Sequence, residues 1–259
     1  MGRTLVYPKA AYNTAHRHNE CATYDLREIH TIINTTKILH VSFNSTDPAA
    51  GPYPAILPMI GQMGSFTHPS ADLNEPLECY IHGYVSMRMA SLARINDGLP
   101  VTIAASKVDG LVLSLTPYSH NYIYRSAVLF GHAQVVTDAE EKLFAMQLIT
   151  DSVMSGRWEG SRTPPNGAEL GATAILRVKI AGGSGKISEA GADDKKEDLE
   201  SEQVTSRVWS GIAPVWEVIG QPIPAKTNAV KILPEYMDKF VQGENEISEK
   251  HATELAKAR

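Results

Sequence analysis

Between Leu99 and Val136 the chain offers three apolar runs separated by little more than turn residues. "LPVTIAAS" (99–106) and "GLVLSLT" (110–116) are joined by "KVDG", and an Asp-Gly pair between alternating apolar residues is a strong hairpin signal. "YRSAVLFGHAQVV" (124–136) is the longest run and is largely apolar on both faces at first. That pattern predicts a central strand covered on two sides. Strands joined by tight turns run antiparallel, so this stretch commits the chain to an antiparallel sheet.

The remainder agrees. Strands are predicted at "ILHVSF" (38–43), "YPAILPMIG" (53–61), "LECYIHG" (77–83), "ATAILRVKI" (172–180) and "VWSGIAPVWEVIG" (208–220). Few helices interrupt them. "TYDLREIHTIINTT" has Thr23 or Asp25 as N-cap and an apolar stripe of Leu26, Ile29, Ile32 and Ile33. "SMRMASLARI" (86–95) is a short helix, and "TDAE" at Thr137 reads as a capping box with Glu140. Leu143, Met146, Ile149 and Val153 should line the buried face of that third helix. The expected fold is mainly β: an antiparallel barrel or sandwich with peripheral helices. Residues 1–22 read as a polar arm and 23–226 as one domain, in which 182–204 is a mobile charged loop. Residues 227–259 read as a polar helical tail, peripheral to the core.

Composition excludes several functions. With 259 residues, 43% hydrophobic and 20% charged, the chain can build a sizeable core. A formal net charge of -5 argues against nucleic-acid binding through a broad basic surface. Cys21 and Cys79 have neither metal-ligand spacing nor a disulfide framework, so no metal is expected. "GGSGK" (182–186) is not a phosphate loop of the nucleotide-hydrolase kind, because Ile180 stands at the first glycine position and Ile187 follows Lys186. Signal-peptide and membrane-span patterns are missing, so the expectation is a cytoplasmic protein acting away from membranes.

Two stretches carry chemistry. In "YIHGYVSMR" a strand becomes a helix. Gly83 permits close approach, Ser86 offers a hydroxyl, Arg88 a guanidinium, and the helix start its unpaired amides. Together with His82 these form a candidate anion pocket. The plainer alternative is a capped helix with an exposed arginine. The second stretch, "LTPYSHNYIYRSAVLFGHA" (115–133), gathers His120, Asn121, Tyr124, Arg125 and Ser126 between two strands, as a ligand site at a strand end would. Here the alternative is a hydrogen-bonded hairpin with a buried arginine. His132, within the strand, reads as structural.

The order of "YDLREIHTIINTTKILHVSF", "PAILPMIG", "YIHGYVSMRMASL", "VDGLVLSLTPYSHNYIYRSAVLFGHAQVVTDAEEKL", "GRWEGSR" and "VWSGIAPVWEVIGQPIP" resembles the FMN-binding split-barrel superfamily. More narrowly, it is similar to the pyridoxamine 5'-phosphate oxidase-related branch that includes nitroimidazole-resistance-like flavoproteins. The resemblance runs from about residue 22 to about residue 225. It implies a six-stranded antiparallel split β-barrel, a homodimer, and FMN in clefts at the subunit interface. His82, Gly83, Ser86 and Arg88 match the segment that holds the FMN phosphate. His120, Tyr124, Arg125 and Ser126 match a segment expected near the flavin, and Pro58 and Met59 fall where backbone follows the isoalloxazine ring. The function implied is an FMN-dependent oxidoreductase acting on a small molecule, with His82, His120 and Arg125 as candidates to tune the flavin or orient a substrate. A carrier or sensor binding flavin or haem without turnover is the alternative. The Arg- and Trp-containing carboxy-terminal signature of true pyridoxamine-phosphate oxidases is missing, which argues against that substrate.

Overall fold

A computed structural model describes residues 4–45, 51–95 and 98–257. The first three residues of the arm and the last two of the tail lie outside them. In chain order the elements are β1 (Ala22–Thr23), α1 (Leu26–Thr35), β2 (Leu39–Phe43), β3 (Ala55–Met59), β4 (Gly61–Gly64), β5 (Glu78–Tyr84), α2 (Arg88–Ile95) and β6 (Leu99–Leu113). Then come β7 (Asn121–Val135), α3 (Ala139–Val153), α4 (Gly167–Ala172), β8 (Thr173–Ser188), α5 (Lys196–Leu199), α6 (Glu202–Thr205), β9 (Gly211–Pro214) and α7 (Glu235–Lys257). The chain forms two compact units, Met1–Ser106 with Ser126–Lys186, and Lys107–Arg125 with Ile187–Arg259.

The strand order is β3-β2-β6-β7-β8-β5-β4, with β1 on β8 and β9 on β6, nine strands among the described residues. Mainly β, antiparallel, with helices at the periphery: the coarse expectation holds. β7 is central, as its two apolar faces require. In the first unit the two end strands of this order, β3 and β4, are separated in sequence by Ile60 alone. Consecutive Cα atoms are about 3.8 Å apart, so the end of β3 lies close to the start of β4, although no ladder joins these two strands among the described residues. β3 hydrogen-bonds to β2 and β4 to β5. The single strand predicted at 53–61 is therefore a bent one that changes partners at Ile60. Gly61 makes the bend possible, since a Cβ there would stand 2.9 Å from the Tyr80 carbonyl oxygen.

Alternating residues fill the interior: Leu39 and Val41 from β2, Ile81 from β5, Ile103 from β6, Leu129 from β7, Leu176 and Val178 from β8. α1 lays Ile29, Ile32 and Ile33 on this core, capped by Asp25, whose side chain accepts from the Glu28 amide at 3.0 Å. α3 corrects one expectation. Its cap is Asp138, accepting from the Glu141 amide at 2.8 Å, and not Thr137 with Glu140. Of the predicted buried face only Ile149 is fully buried, beside Glu141 and Ala145, while Leu143 and Met146 are half-buried and Val153 is exposed. Buried Glu141 accepts from the Tyr80 hydroxyl at 2.9 Å and from Arg177 Nη1 at 3.0 Å, which satisfies its charge.

The run "GGSGK" is strand, not the start of a loop, because β8 continues to Ser188. Its glycines make room for the amino-terminal arm. A Cβ at Gly183 would meet Leu129 at 2.8 Å and Tyr7 at 3.0 Å, and one at Gly182 would meet the Tyr12 hydroxyl at 2.7 Å. The arm is accordingly packed: Tyr7 and Asn13 are buried, and Asn13 Nδ2 donates to the Gly183 carbonyl at 3.1 Å.

In the second unit, Asp109-Gly110 does not turn. β6 is one strand of 15 residues, and its Gly110–Leu113 stretch pairs with β9. Two interactions hold it straight. Asp109 is buried against Arg125, and the missing side chain of Gly110 admits Ile212 and Ile123. The strand predicted at 208–220 shortens to the four residues of β9. α7 buries Val241 and Ala252, and Asn245 brackets Ile219, accepting from its amide at 2.8 Å and donating to its carbonyl at 2.9 Å. No helix among the described residues is long and apolar enough to cross a membrane.

Candidate functional site

β5 ends at Tyr84, and a turn closed by the Met87 amide donating to the Tyr84 carbonyl at 2.9 Å leads into α2. Ser86 lies in this turn and the helix opens at Arg88, two residues later than predicted. Met89, Ala90 and Ala93 anchor α2 in the core, so its polar start faces outward. Ser86 and Arg88 are exposed, and neither has a hydrogen-bond or ion-pair partner among the described residues. The Arg88 guanidinium stands 5.6 Å from the centre of the Phe43 ring, a cation–π arrangement that fixes its position without using its donors. No acidic residue occupies the first helical turn.

His82 and Gly83 precede this notch on β5. The backbone of Ile60 at the strand bend acts on the His82 ring in favour of its charged form. Burial outweighs it and holds His82 below the ordinary histidine range. Its Nδ1 is buried with no partner among the described residues. Such an atom needs a hydrogen-bond partner from elsewhere. A Cβ at Gly83 would press on Met87 Sδ at 2.8 Å and approach Met59 Cε at 3.6 Å. Met59 thus meets Gly83 side by side, while Pro58, opposite His40 on β2, is exposed. Six predicted residues, Pro58, Met59, His82, Gly83, Ser86 and Arg88, belong to this first unit and stand around the β5–α2 junction and the Ile60 bend.

The second stretch divides. His120 is exposed, and its Nδ1 accepts from the Ser114 amide at 2.9 Å, which leaves the hydrogen on Nε2, free to donate. Tyr124 is half-buried. Arg125 is spent: Nε and Nη2 both donate to Asp109. Ser126 belongs to the first unit. Sequence reasoning missed His251 of α7, whose Nε2 is buried without a hydrogen-bond partner and lies 3.8 Å from Asp109 Oδ2. Burial, then the neighbouring Arg125, pushes the His251 pKa down. Nothing in a polar tail singles out one histidine, and the Asp-Gly turn signal concealed Asp109.

The first unit also carries two clefts. One of about 470 Å³ is walled by Tyr12, Phe43, Phe130 and His132. The other, about 430 Å³, lies between Gln62, Pro69, Phe144 and Leu148. Among the described residues no three of His, Cys, Asp and Glu are grouped to hold a metal.

Residues 25–187 match the family model described as pyridoxamine 5'-phosphate oxidase. The chain belongs to the pyridoxamine 5'-phosphate oxidase family. The match includes the β5–α2 junction, the Ile60 bend and the second stretch, so every predicted site residue lies within the family's part of the chain. Two solved structures share this family member's fold at nearly full length. The flavocytochrome Anf3 from Azotobacter vinelandii is 24% identical with a TM-score of 0.73, covering 89% of this chain and 97% of its own. The FAD and heme binding protein from Mycobacterium smegmatis is 24% identical with a TM-score of 0.69, covering 85% and 97%. A putative 5-nitroimidazole antibiotic resistance protein from Bacteroides thetaiotaomicron VPI-5482 is 19% identical, with a TM-score of 0.48 over 64% and 86%. No curated protein matches the chain.

Proposed function

We propose that this family member is an FMN-binding oxidoreductase acting on a small molecule, working as a homodimer. The observation that carries the reading is the β5–α2 junction. It gathers an exposed hydroxyl and guanidinium with no partners among the described residues, helix-start amides and a buried orphan nitrogen at His82. A phosphate monoester suits the first three, because a guanidinium and helix amides give charge-assisted hydrogen bonds to anionic oxygen. The orphan His82 Nδ1 would hydrogen-bond to the ribityl chain or ring edge. Counting β3 and β4 as one bent strand, the first unit contains six strands of more than two residues, which supports the six-stranded split barrel. Bound flavin would carry electrons between a donor and the substrate, while the chain anchors phosphate and orients the ring. FMN is also one half of FAD, so the notch would serve either.

Purified full-length chain should be yellow. Heat-released cofactor should have the mass of FMN, and NAD(P)H should bleach the bound flavin. Colourless protein that fails to take up FMN or FAD would refute the reading.

A second reading is a carrier or sensor that also holds haem. It is favoured by His68, exposed beside Pro69 of the second cleft, whose Nδ1 contacts Thr67 Oγ1 at 3.1 Å and leaves Nε2 open as a ligand. Two structures of this fold are named for haem or a flavocytochrome. A Soret band lost on His68→Ala would support it, and haem-reconstituted protein without such a band would end it.

A further inference from the structure

None of the residues assigned to the flavin lines the cleft walled by Tyr12, Phe43, Phe130 and His132, although Arg88 stands over the Phe43 ring at its edge, and the lining specifies a ligand. Gly182 is bare, so Tyr12 can lie across β8 with its hydroxyl donating to the Ala181 carbonyl at 3.2 Å and its ring edge-on to Phe130, centroids 5.1 Å apart. The arm therefore builds one wall of the cleft. On the floor, Ser42 and Thr102 face each other across the β2–β6 ladder, so their hydroxyls share one face. At the rim, Gly98 holds its backbone at φ +99° with the His132 Cβ only 3.2 Å from where a side chain would begin, leaving the imidazole exposed.

Three features decide the chemistry. Tyr12 and Phe130, packed edge-on, make an aromatic wall that favours a flat aromatic guest. Ser42, Thr102 and His132 have no hydrogen-bond partner among the described residues, so their donors are unspent. Among the described residues no Asp, Glu, Lys or Arg lines the cleft, so no described side chain of the lining balances a charged guest. Its volume of about 470 Å³ fits a small organic molecule. We infer that this cleft binds a neutral, planar aromatic molecule bearing carbonyl or ring-nitrogen acceptors, held by Ser42, Thr102 and His132 and shaped by Tyr12 of the arm.

The test uses full-length protein and 7-methoxycoumarin, a neutral fluorescent bicycle with a lactone carbonyl. Its anisotropy should rise saturably, and coumarin-3-carboxylate should bind about tenfold more weakly. Ala181→Trp, at an exposed wall position, should abolish the signal while FMN uptake and melting temperature stay unchanged. Thr102→Val, which removes only a hydroxyl, gives a second handle and should weaken binding about tenfold. No saturable binding, equal affinity for the carboxylate, or retention of the signal in both variants would overturn the inference. Displacement of the coumarin by FMN would overturn it too, by showing that the cleft is the flavin's own. Failure of the protein to take up FMN leaves these measurements intact.

Discussion

Arg125 grips Asp109 with two parallel hydrogen bonds, Nε to Oδ2 at 2.8 Å and Nη2 to Oδ1 at 2.9 Å. Both side chains are largely buried, 19% and 5% exposed, so this pair is not a surface ion bridge. Removing one partner of a buried pair leaves the other charge stranded, at a cost of about 3–5 kcal/mol. Asp109→Ala should lower the unfolding free energy by about that amount in urea titrations. Replacing both residues by Leu should restore most of it. A single variant as stable as the parent would show that Arg125 finds another acceptor and is open to a ligand.

A buried histidine sets the acid limit of the fold. His30 accepts the Tyr7 hydroxyl at Nε2 over 2.6 Å, and Nδ1 donates to the Leu73 carbonyl at 2.8 Å, so the neutral ring is satisfied on both sides. Burial, partly opposed by the bond to Leu73, lowers its pKa to about 4. The unfolded chain takes a proton near the ordinary value of about 6.5, whereas the folded one refuses it until about 4. The neutral ring therefore contributes its full stability above about pH 6.5, and that contribution drains away as pH falls towards 4. It amounts to about 3 kcal/mol. His30→Gln should be less stable at pH 7 and should lose this part of the acid slope, which melting curves from pH 7 to pH 4 would reveal. An unchanged slope would show that other groups govern acid unfolding.

Much of this was legible in the sequence, because strands and helices rest on local periodicity. α1, its Asp25 cap and the central position of β7 follow from patterns a few residues long. The failures share one cause, tertiary contacts that outweigh local chemistry. Asp109-Gly110 has the chemistry of a turn, yet a guanidinium 16 residues away claims the carboxylate, and the strand runs straight through. "GGSGK" has the composition of a loop, yet its bare faces are where Tyr7 and Tyr12 lie. At the candidate site the notch at Ser86 and Arg88 was visible because it is local. The orphan nitrogens of His82 and His251 were not, since burial of one atom depends on the whole fold.

Gly131 tests how closely β7 and β8 are pressed together. A Cβ there would stand 2.4 Å from the Lys179 carbonyl oxygen and 2.9 Å from Val178 Cγ1. The first of these is backbone, which cannot swing aside as a side-chain tip can. Gly131→Ala should therefore destabilise by about 1–3 kcal/mol, the usual range for overpacking, although alanine suits a strand better than glycine does. Denaturant midpoints at constant slope would register the loss. A neutral or stabilising outcome would mean that the two strands can separate locally at no cost.

Arg88 decides the flavin reading most directly. Its guanidinium sits over the Phe43 ring and has no acceptor among the described residues, so its donors are available to an anion. A charged hydrogen bond to phosphate is worth about 1.5–3 kcal/mol, or roughly ten- to hundredfold in affinity. Arg88→Ala should weaken FMN by that factor while leaving riboflavin, which has no phosphate, unaffected. Arg88→Lys should recover only part of the loss, because an ammonium keeps the charge but not the forked geometry. Fluorescence quenching of each flavin by parent and variants measures all three effects. Equal FMN affinity in parent and Arg88→Ala would remove this residue from the site. Equal losses for FMN and riboflavin would point instead to a collapse of α2, whose Met89 and Ala90 must remain packed for the notch to exist.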